Sequence, residues 1–526
     1  MRSLGRVGDE GRGLAPLDGG SRSLPPAFLD RVHRRRAVPD SAWFRPTIEW
    51  NRATGAAPEL LDRAARIGTE GGVVVLTGQQ VGLFGGPLYT LYKLLSAVAL
   101  AEEIEGATGV PALPVFWVVG DDSDFGEVSS IWFPDATGRP QRVRDADEPE
   151  GGTLVGALPA SRHEAHLFEL APHVRGHRHG EFVLGKMEAA LAHASTWSDL
   201  HAALFHGALG ARSALFLDGG SDAFLGAAGD WLGDAAKAPL ADLLNRAVPA
   251  GEEPVLAPEL GDRALFRIAK GRRDSVQDPR EIDVAAMRAG GEFVAPNVVL
   301  RPLLQDHALP NVATICGPSE IRYRHQLGPL YQHLGVPEPL RPSRFSAVLL
   351  PDLDCAGSVD DGSYLSAGHD PAAFVDRRVE AFLPGELFGE IRELRERVRG
   401  SIERLEPALG EFDKSLPQLI SSAAGKADYQ FDRMLEGIKG KARHRLQQRC
   451  PALAGLADFV LPRQRPQERS LSWWTPFAAE GPEVVTPLLA AAKEHVMHSV
   501  VRSEERGGAD DILVERSVFR LEGIGS

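Results

Sequence analysis

The sequence predicts an α/β protein built on an open parallel sheet with crossover helices. Two observations carry this: short apolar runs that each end in a polar or glycine-rich break, and helical patterning after the breaks. The first run, Val73–Leu76, is β-branched and bounded by glycines, as buried parallel strands are. After Pro87, the positions Leu88, Leu91, Leu95, Val98 and Ile104 mark one apolar helix face reaching about Glu105. Proline near that helix start costs little, because its missing N–H would be unpaired there anyway. "LPVFWVVG" (113–120), "SALFLDGG" (213–220) and "NVATICGPSE" (311–320) repeat the pattern, and "SAVLLPDLD" (346–354) reads as a fifth strand. In such sheets ligands sit beyond the carboxyl ends of the strands.

Four segments organise the 526 residues. Residues 1–70 read as a leader, loose to about residue 25, followed by a helical segment. Residues 71–370 form the core, with irregular insertions at about 135–210 and 225–290. Residues 371–455 are a charged helical element, and 456–526 form a C-terminal segment that packs on the core. In the helical element Leu394, Val398, Ile402 and Leu405 make one apolar stripe. That stripe either pairs across a dimer or packs against the same chain.

A formal charge of −14, from 58 basic and 72 acidic side chains, argues against broad nucleic-acid binding. It leaves room for a local basic pocket. Cys316, Cys355 and Cys450 are few, odd in number and widely spaced, so neither a disulfide framework nor a cysteine zinc site is expected, and a reducing cytosol is the default. No segment has signal-peptide character or the roughly 20 apolar residues of a membrane span, so the expected location is cytoplasmic, without membrane partners.

Several stretches carry candidate chemistry. "GGVVVLTGQQVGLFGGPLYTLYK" (71–93) follows a strand with glycines and then a helix start, where backbone N–H groups and the helix dipole suit an anion. Gln79, Gln80 and Lys93 add side-chain donors. The spacing is neither a Walker A loop nor a dinucleotide fingerprint, and a tight structural turn is the competing reading. "GDDSDFGE" (120–127) places Asp121, Asp122, Asp124 and Glu127 after a buried strand, as groups for an amine, hydroxyls, Mg²⁺ or proton transfer, or as a capped acidic turn. In "PNVVLRPLLQDH" (296–307), Asn297, Arg301, Gln305 and Asp306 lie together, and Arg301 either grips a carboxylate or closes a structural ion pair. Glu320, Tyr323 and Gln326 recur at helical spacing. Cys316 reads as a small residue finishing a strand, since the signature of a catalytic Cys–His pair is missing. His173, His177, His179, His495 and His498 lack a metal-binding motif, so no metal site is expected. "PRQRPQERSLSWW" (462–474) either flanks an anionic ligand or packs the C-terminal segment.

Taken together, "TGQQVGLFGGPLYTLYK", "PVFWVVGDDSDFGEV", "PNVVLRPLLQ", "GPSEIRYRHQLGPLYQHLGV" and "PQER" resemble, in order, the bacillithiol-biosynthesis cysteine-adding enzymes, a cysteine ligase family. The resemblance implies a Rossmann-like, nucleotidyltransferase-like core, connecting insertions and a coiled-coil element that makes a homodimer. It also implies the reaction: joining the carboxyl of L-cysteine to the amine of glucosaminyl-malate, giving bacillithiol. Thr77, Gly78, Gln79, Gln80, Gly86, Pro87, Tyr89 and Lys93 match the glycine-rich motif. Asp122, Asp124 and Phe125 match the acidic motif E-D-H-D-F, with Asp121 for its glutamate and Ser123 for its histidine, which removes any role for that histidine. Asn297, Arg301 and Pro302 match, as do Gly317, Pro318, Glu320, Tyr323 and Gln326, while Cys316 and Ser319 stand where glycine is usual. Gln467, Glu468 and Arg469 complete the set.

The resemblance therefore implies Asp122 and Asp124 as catalytic carboxylates, with Thr77, Gly78, Gln79, Gln80, Gly86, Lys93, Asn297, Arg301, Glu320 and Tyr323 binding substrate or nucleotide. Amide formation from a free carboxylate is uphill, so ATP and Mg²⁺ are expected to activate the acid. Two alternatives stand beside this: a nucleotidyltransferase or ligase for another amine and acid, and a non-catalytic scaffold.

Overall fold

The computed structural model describes residues 1–7, 13–14, 23–249, 251–505 and 516–521. Its central sheet is parallel, with strands in the spatial order Asn311–Thr314, Val73–Gln80, Ala112–Val119, Leu215–Asp218. Every residue of Ala112–Val119 is buried, which explains why the strand reads as an unbroken apolar run. The two middle strands pair along their whole length, from Val73 opposite Ala112 to Gln80 opposite Val119. Gly78 makes this approach possible: a Cβ there would stand 2.8 Å from the Trp117 carbonyl oxygen.

Helix Leu88–Thr108 carries the chain from the first middle strand to the second and ends on left-handed Gly109. It is buried on every side over most of its length, being covered by the sheet and by helix Val485–Glu505. Between strand and helix, Leu83–Gly85 forms one 3₁₀ turn pressed against Trp473, whose indole Nε1 donates to the Phe84 carbonyl at 2.9 Å. Gly85 has φ +88°, and a Cβ on it would lie 2.3 Å from that indole nitrogen.

The strand at Ala347–Pro351 does not join this sheet, which corrects the five-strand expectation. It pairs in parallel with Arg516–Leu521, and that strand pairs antiparallel with Arg2–Val7. Residues 2–7 are thus strand rather than loose leader; residues 8–12 and 15–22 of the expected leader lie outside the described residues. The partners come from both ends of the chain, and local patterning carries no trace of such a pairing.

The first insertion is largely helical (Arg162–Arg175, Gly180–Leu191, Trp197–Leu209) and shares a core with Trp473, Trp474 and Phe477. The second contains helices Asp222–Ala235 and Leu240–Arg246 and an antiparallel sheet ordered Phe293–Pro296, Leu265–Ala269, Arg272–Ser275. The last two strands form a hairpin turning at Lys270 and Gly271, both with positive φ.

Helices Leu387–Phe412 and Leu416–Arg449 form an antiparallel arm. Arg395 ties them, donating to Asp428 at 2.8 Å and Asp432 at 2.9 Å. Leu405 in the apolar stripe remains 54% exposed. At the arm's base Cys450 is disulfide-bonded to Cys355 with their Cα atoms 5.1 Å apart, which corrects the expectation of unpaired cysteines. Closing a loop across 95 residues contributes about 4–5 kcal/mol in the chain-entropy account. Among the described residues no helix is long and apolar enough to cross a membrane.

Gly85→Ala is expected to lower stability by about 1–3 kcal/mol through overpacking and backbone strain, read as a lower urea midpoint. An unchanged midpoint would mean that the 3₁₀ turn and Trp473 yield without cost.

Candidate active site

The carboxyl ends of strands 73–80 and 311–314 open into a cavity of about 450 Å³. Strand 73–80 passes the chain to 112–119 on one side, while 311–314 flanks it on the other; the cavity therefore lies where the sheet's connections diverge. Thr77, Gly78, Gln79 and Gln80 form its floor, and Lys93, Asp122, Arg301, Glu320 and Tyr323 stand on its walls. Arg324, Arg344, Arg469 and Glu127 add to the lining, giving five basic side chains against three acidic ones inside a chain of net charge −14. Such focusing favours an anionic ligand.

Lys93 is bonded to protein oxygens on three sides. Its Nζ donates to the Gly78 carbonyl at 2.9 Å and to Gln79 Oε1 at 3.2 Å, and meets Glu320 Oε2 at 2.6 Å. An ammonium has three donors, and all three are answered. Glu320 in turn accepts from the Gly317 amide at 2.7 Å, capping helix Pro318–Gln326. Burial would raise its pKa, but the charge and hydrogen bond of Lys93, with the Gly317 amide, outweigh burial and hold it below the ordinary carboxylate value.

Asp122 is held from three sides. Gln80 Nε2 donates to one oxygen at 2.8 Å, while the Ser123 amide at 2.8 Å and Arg273 Nη1 at 3.2 Å reach the other. Burial pushes this carboxyl up, but Gln80, Arg273 and Arg301 together bring it below its usual range, so it is ionised at neutral pH. Arg301 lies 3.5 Å from Asp121, and its buried Nε has no hydrogen-bond partner. Burial pushes the Tyr323 phenol up to about 12, leaving a neutral hydroxyl on the wall.

Three residues expected at the site do not line the cavity. Asp124 caps the short turn Phe125–Val128, accepting from the Glu127 amide at 3.2 Å. Asn297 is bonded to backbone on both ends of its amide: Nδ2 donates to the Leu260 and Arg263 carbonyls and Oδ1 accepts from Val299. Gly86 lies in the turn under Trp473, and the amides of Gly85, Gly86 and Leu88 donate to the carbonyls of Gly82, Leu83 and Leu471. These three amides are therefore bonded within the protein and do not face the cavity as donors for the phosphates of ATP. Among the described residues no group of three His, Cys, Asp or Glu stands close enough to hold a metal ion. Cys316 is fully buried, and burial pushes its thiol up to about 11, the wrong direction for a nucleophile.

Arg273 is the site residue the sequence reading missed. It lies on the inserted hairpin, donates to the Asp121 carbonyl at 3.0 Å as well as to Asp122, and stacks 3.5 Å over the centroid of Phe266. The available signal was the alternation around the Lys270–Gly271 turn, in a stretch read as irregular. Arg344 was missed too: it forms a two-pronged pair with Glu468, at 2.9 and 2.5 Å. Gln467 brackets Leu349, accepting from its amide and donating to its carbonyl, so the C-terminal "PQER" stretch ties the second sheet to the cavity wall.

Fold and cavity define a Rossmann-like α/β protein with a charged small-molecule site at the divergence of its sheet. The family model described as "Bacillithiol biosynthesis BshC, N-terminal Rossmann-like domain" matches residues 35–229 and 277–344. A Solibacter usitatus protein named "Putative cysteine ligase BshC" is 30% identical over 381 residues, covering 69% of this chain and 71% of its own. Proteins of the same name from Koribacter versatilis (28% over 490 residues, 86% and 88% covered) and Staphylococcus aureus (27% over 307 residues, 54% and 57% covered) are also similar. The chain belongs to the BshC family of bacillithiol biosynthesis. Arg273 falls in the stretch that the family model leaves unmatched.

Lys93→Met is expected to cost roughly 3 kcal/mol by stranding Glu320 without its cation. The depressed Glu320 pKa contributes stability above the unfolded carboxylate value that is lost as pH falls through the folded value. In Lys93→Met the acid limb of the stability–pH curve should therefore move to higher pH, as read by denaturant unfolding between pH 4 and pH 7. An unmoved limb would mean that the pair is not coupled to folding.

Proposed function

We propose that this protein is a cysteine ligase that joins the carboxyl of L-cysteine to the amine of glucosaminyl-malate and forms bacillithiol. The observation carrying this reading is one cavity that holds the ionised Asp122 among cationic side chains, suiting a substrate with both an amine and carboxylates. Arg301, with an unpartnered buried Nε, takes a malate carboxylate. Arg469, which makes no ion pair among the described residues, takes a second anionic group. Asp122 binds the amine and orients it; Gln80 and Arg273 keep the carboxylate turned to one position. Because it is held below the usual range, Asp122 is a weak proton acceptor, and Glu127 on the cavity wall takes the proton the amine loses on attack.

The free carboxylate of cysteine needs activation, and ATP with Mg²⁺ is the co-reactant proposed for it. The amides of Gly85, Gly86 and Leu88 are bonded within the protein, and none of the steps assigned to this chain's residues passes through the nucleotide. We place the reaction in the cytoplasm and the protein in a homodimer through the arm, whose Leu405, Phe412 and Leu419 are exposed.

Mass spectrometry of purified protein with cysteine and glucosaminyl-malate should give bacillithiol only with ATP and Mg²⁺ present. Asp122→Asn should lower the rate on the order of 10²-fold through loss of the amine's orientation. Product without nucleotide would remove the activation step, and binding without product would favour another acid. No binding at all would favour a scaffold. Arg273→Met takes a cation from Asp122, so the Asp122 carboxyl should titrate at higher pH in carboxyl NMR; an unmoved titration would mean that Arg273 does not hold the Asp122 charge. Leu405→Glu with Leu419→Glu should give monomers in light scattering, and an unchanged mass would place any dimer contact elsewhere.

A further inference from the structure

Two of the chain's three cysteines meet across 95 residues of sequence, and neither lines the cavity described above. Cys355 is exposed, in the turn that follows strand Ala347–Pro351. Cys450 is fully buried at the end of the 34-residue helix Leu416–Arg449, inside the core formed by Leu350, Tyr364, Phe374, Leu446 and Leu453. One sulfur of the bond thus belongs to a solvent-facing residue and the other to a shielded one.

We infer that Cys355–Cys450 is a thiol-exchange site, open to low-molecular-weight thiols at Cys355 and coupling their redox state to the attachment of the helical arm. The thiolate of a small thiol attacks Sγ of Cys355. A new S–S bond forms there, the Cys355–Cys450 bond breaks, and the electron pair leaves on Cys450, which takes up a proton. A second small thiol attacks the small-molecule sulfur of the mixed disulfide and releases Cys355 as a thiol. The sum is one protein disulfide and two small thiols converted to a protein dithiol and one small-molecule disulfide; that disulfide reverses the sequence.

The surroundings favour reversibility. Arg520 holds the turn to the last strand through Asp352 at 2.9 Å and Asp354 at 2.7 Å. Arg378, on the helix Pro371–Phe382 that precedes the arm, donates to the Gly357 carbonyl at 2.9 Å. Non-covalent ties thus keep Cys355 in place when the bond opens, and re-formation needs no long search. The segment between the two cysteines contains both arm helices, so the bond is the one disulfide cross-link among the described residues between the end of the second arm helix, at the arm's base, and the turn after strand Ala347–Pro351. The exchange is independent of the ligase reading; only the choice of cysteine, the small thiol of that reaction, as the natural probe rests on it.

Oxidised full-length protein is incubated in cysteine–cystine mixtures of rising cysteine content, quenched with acid and alkylated, and its peptides are mapped by mass spectrometry. The cross-linked 355–450 peptide should disappear as cysteine rises, a cysteinyl adduct should appear on Cys355, and none should appear on Cys450. Cys450→Ser should accumulate the Cys355 adduct several-fold above the unmodified chain, because no internal thiol remains to displace it. Tryptic cleavage within residues 387–449 should speed up several-fold once the bond is open. Adducts on Cys450, two free thiols even in cystine alone, or cleavage indifferent to the bond would each overturn the inference. If Cys450→Ser does not fold, the mapping on the unmodified chain decides alone. None of these readouts uses ligation, so failure of the exchange and failure of the ligase reading are separable.

Discussion

A buried ammonium must be answered by protein oxygens, and Lys93 is answered by three that come from different parts of the fold. Two belong to the tail of the first middle strand and the third to the helix that follows strand 311–314. The lysine itself stands on the crossover helix. Its charge therefore fixes the relative positions of the three elements whose ends make the cavity. The same bonds explain why Lys93 does not reach for a ligand, despite lying on the wall: it has no donor left. What remains for substrate are the groups around it, with Asp122 at one side and Arg301 and Arg469 supplying positive charge.

The parallel strands were legible because burial on both faces leaves an unmistakable apolar run, as at Ala112–Val119. The second sheet was not, since its strands at 2–7, 347–351 and 516–521 recognise each other across the whole chain. At the site, Gln80, Lys93, Asp122, Arg301, Glu320 and Tyr323 share one cavity, as their positions at strand ends and helix starts suggested. Asp124 and Asn297 show the limit of such reading. Side chains suited to ligands are also suited to capping backbone, and only geometry tells the two uses apart. Gly85 shows the same limit: close packing against Trp473 and close approach to a phosphate both demand glycine.

The insertions complete the site rather than decorate it. A hairpin outside the central sheet sends Arg273 to Asp122, and the C-terminal "PQER" stretch brings Glu468 to Arg344 and Arg469 to the cavity. The resulting carboxylate is strongly oriented and weakly basic. That combination suits binding and aligning an amine better than deprotonating it.

The most direct test of this account is a crystal structure with glucosaminyl-malate and cysteine bound. The sugar amine is expected within hydrogen-bond distance of Asp122 and a malate carboxylate on Arg301, with Lys93 still bonded to Glu320. Substrate bound at a different cavity, or Lys93 released from Glu320 to hold the ligand, would contradict it.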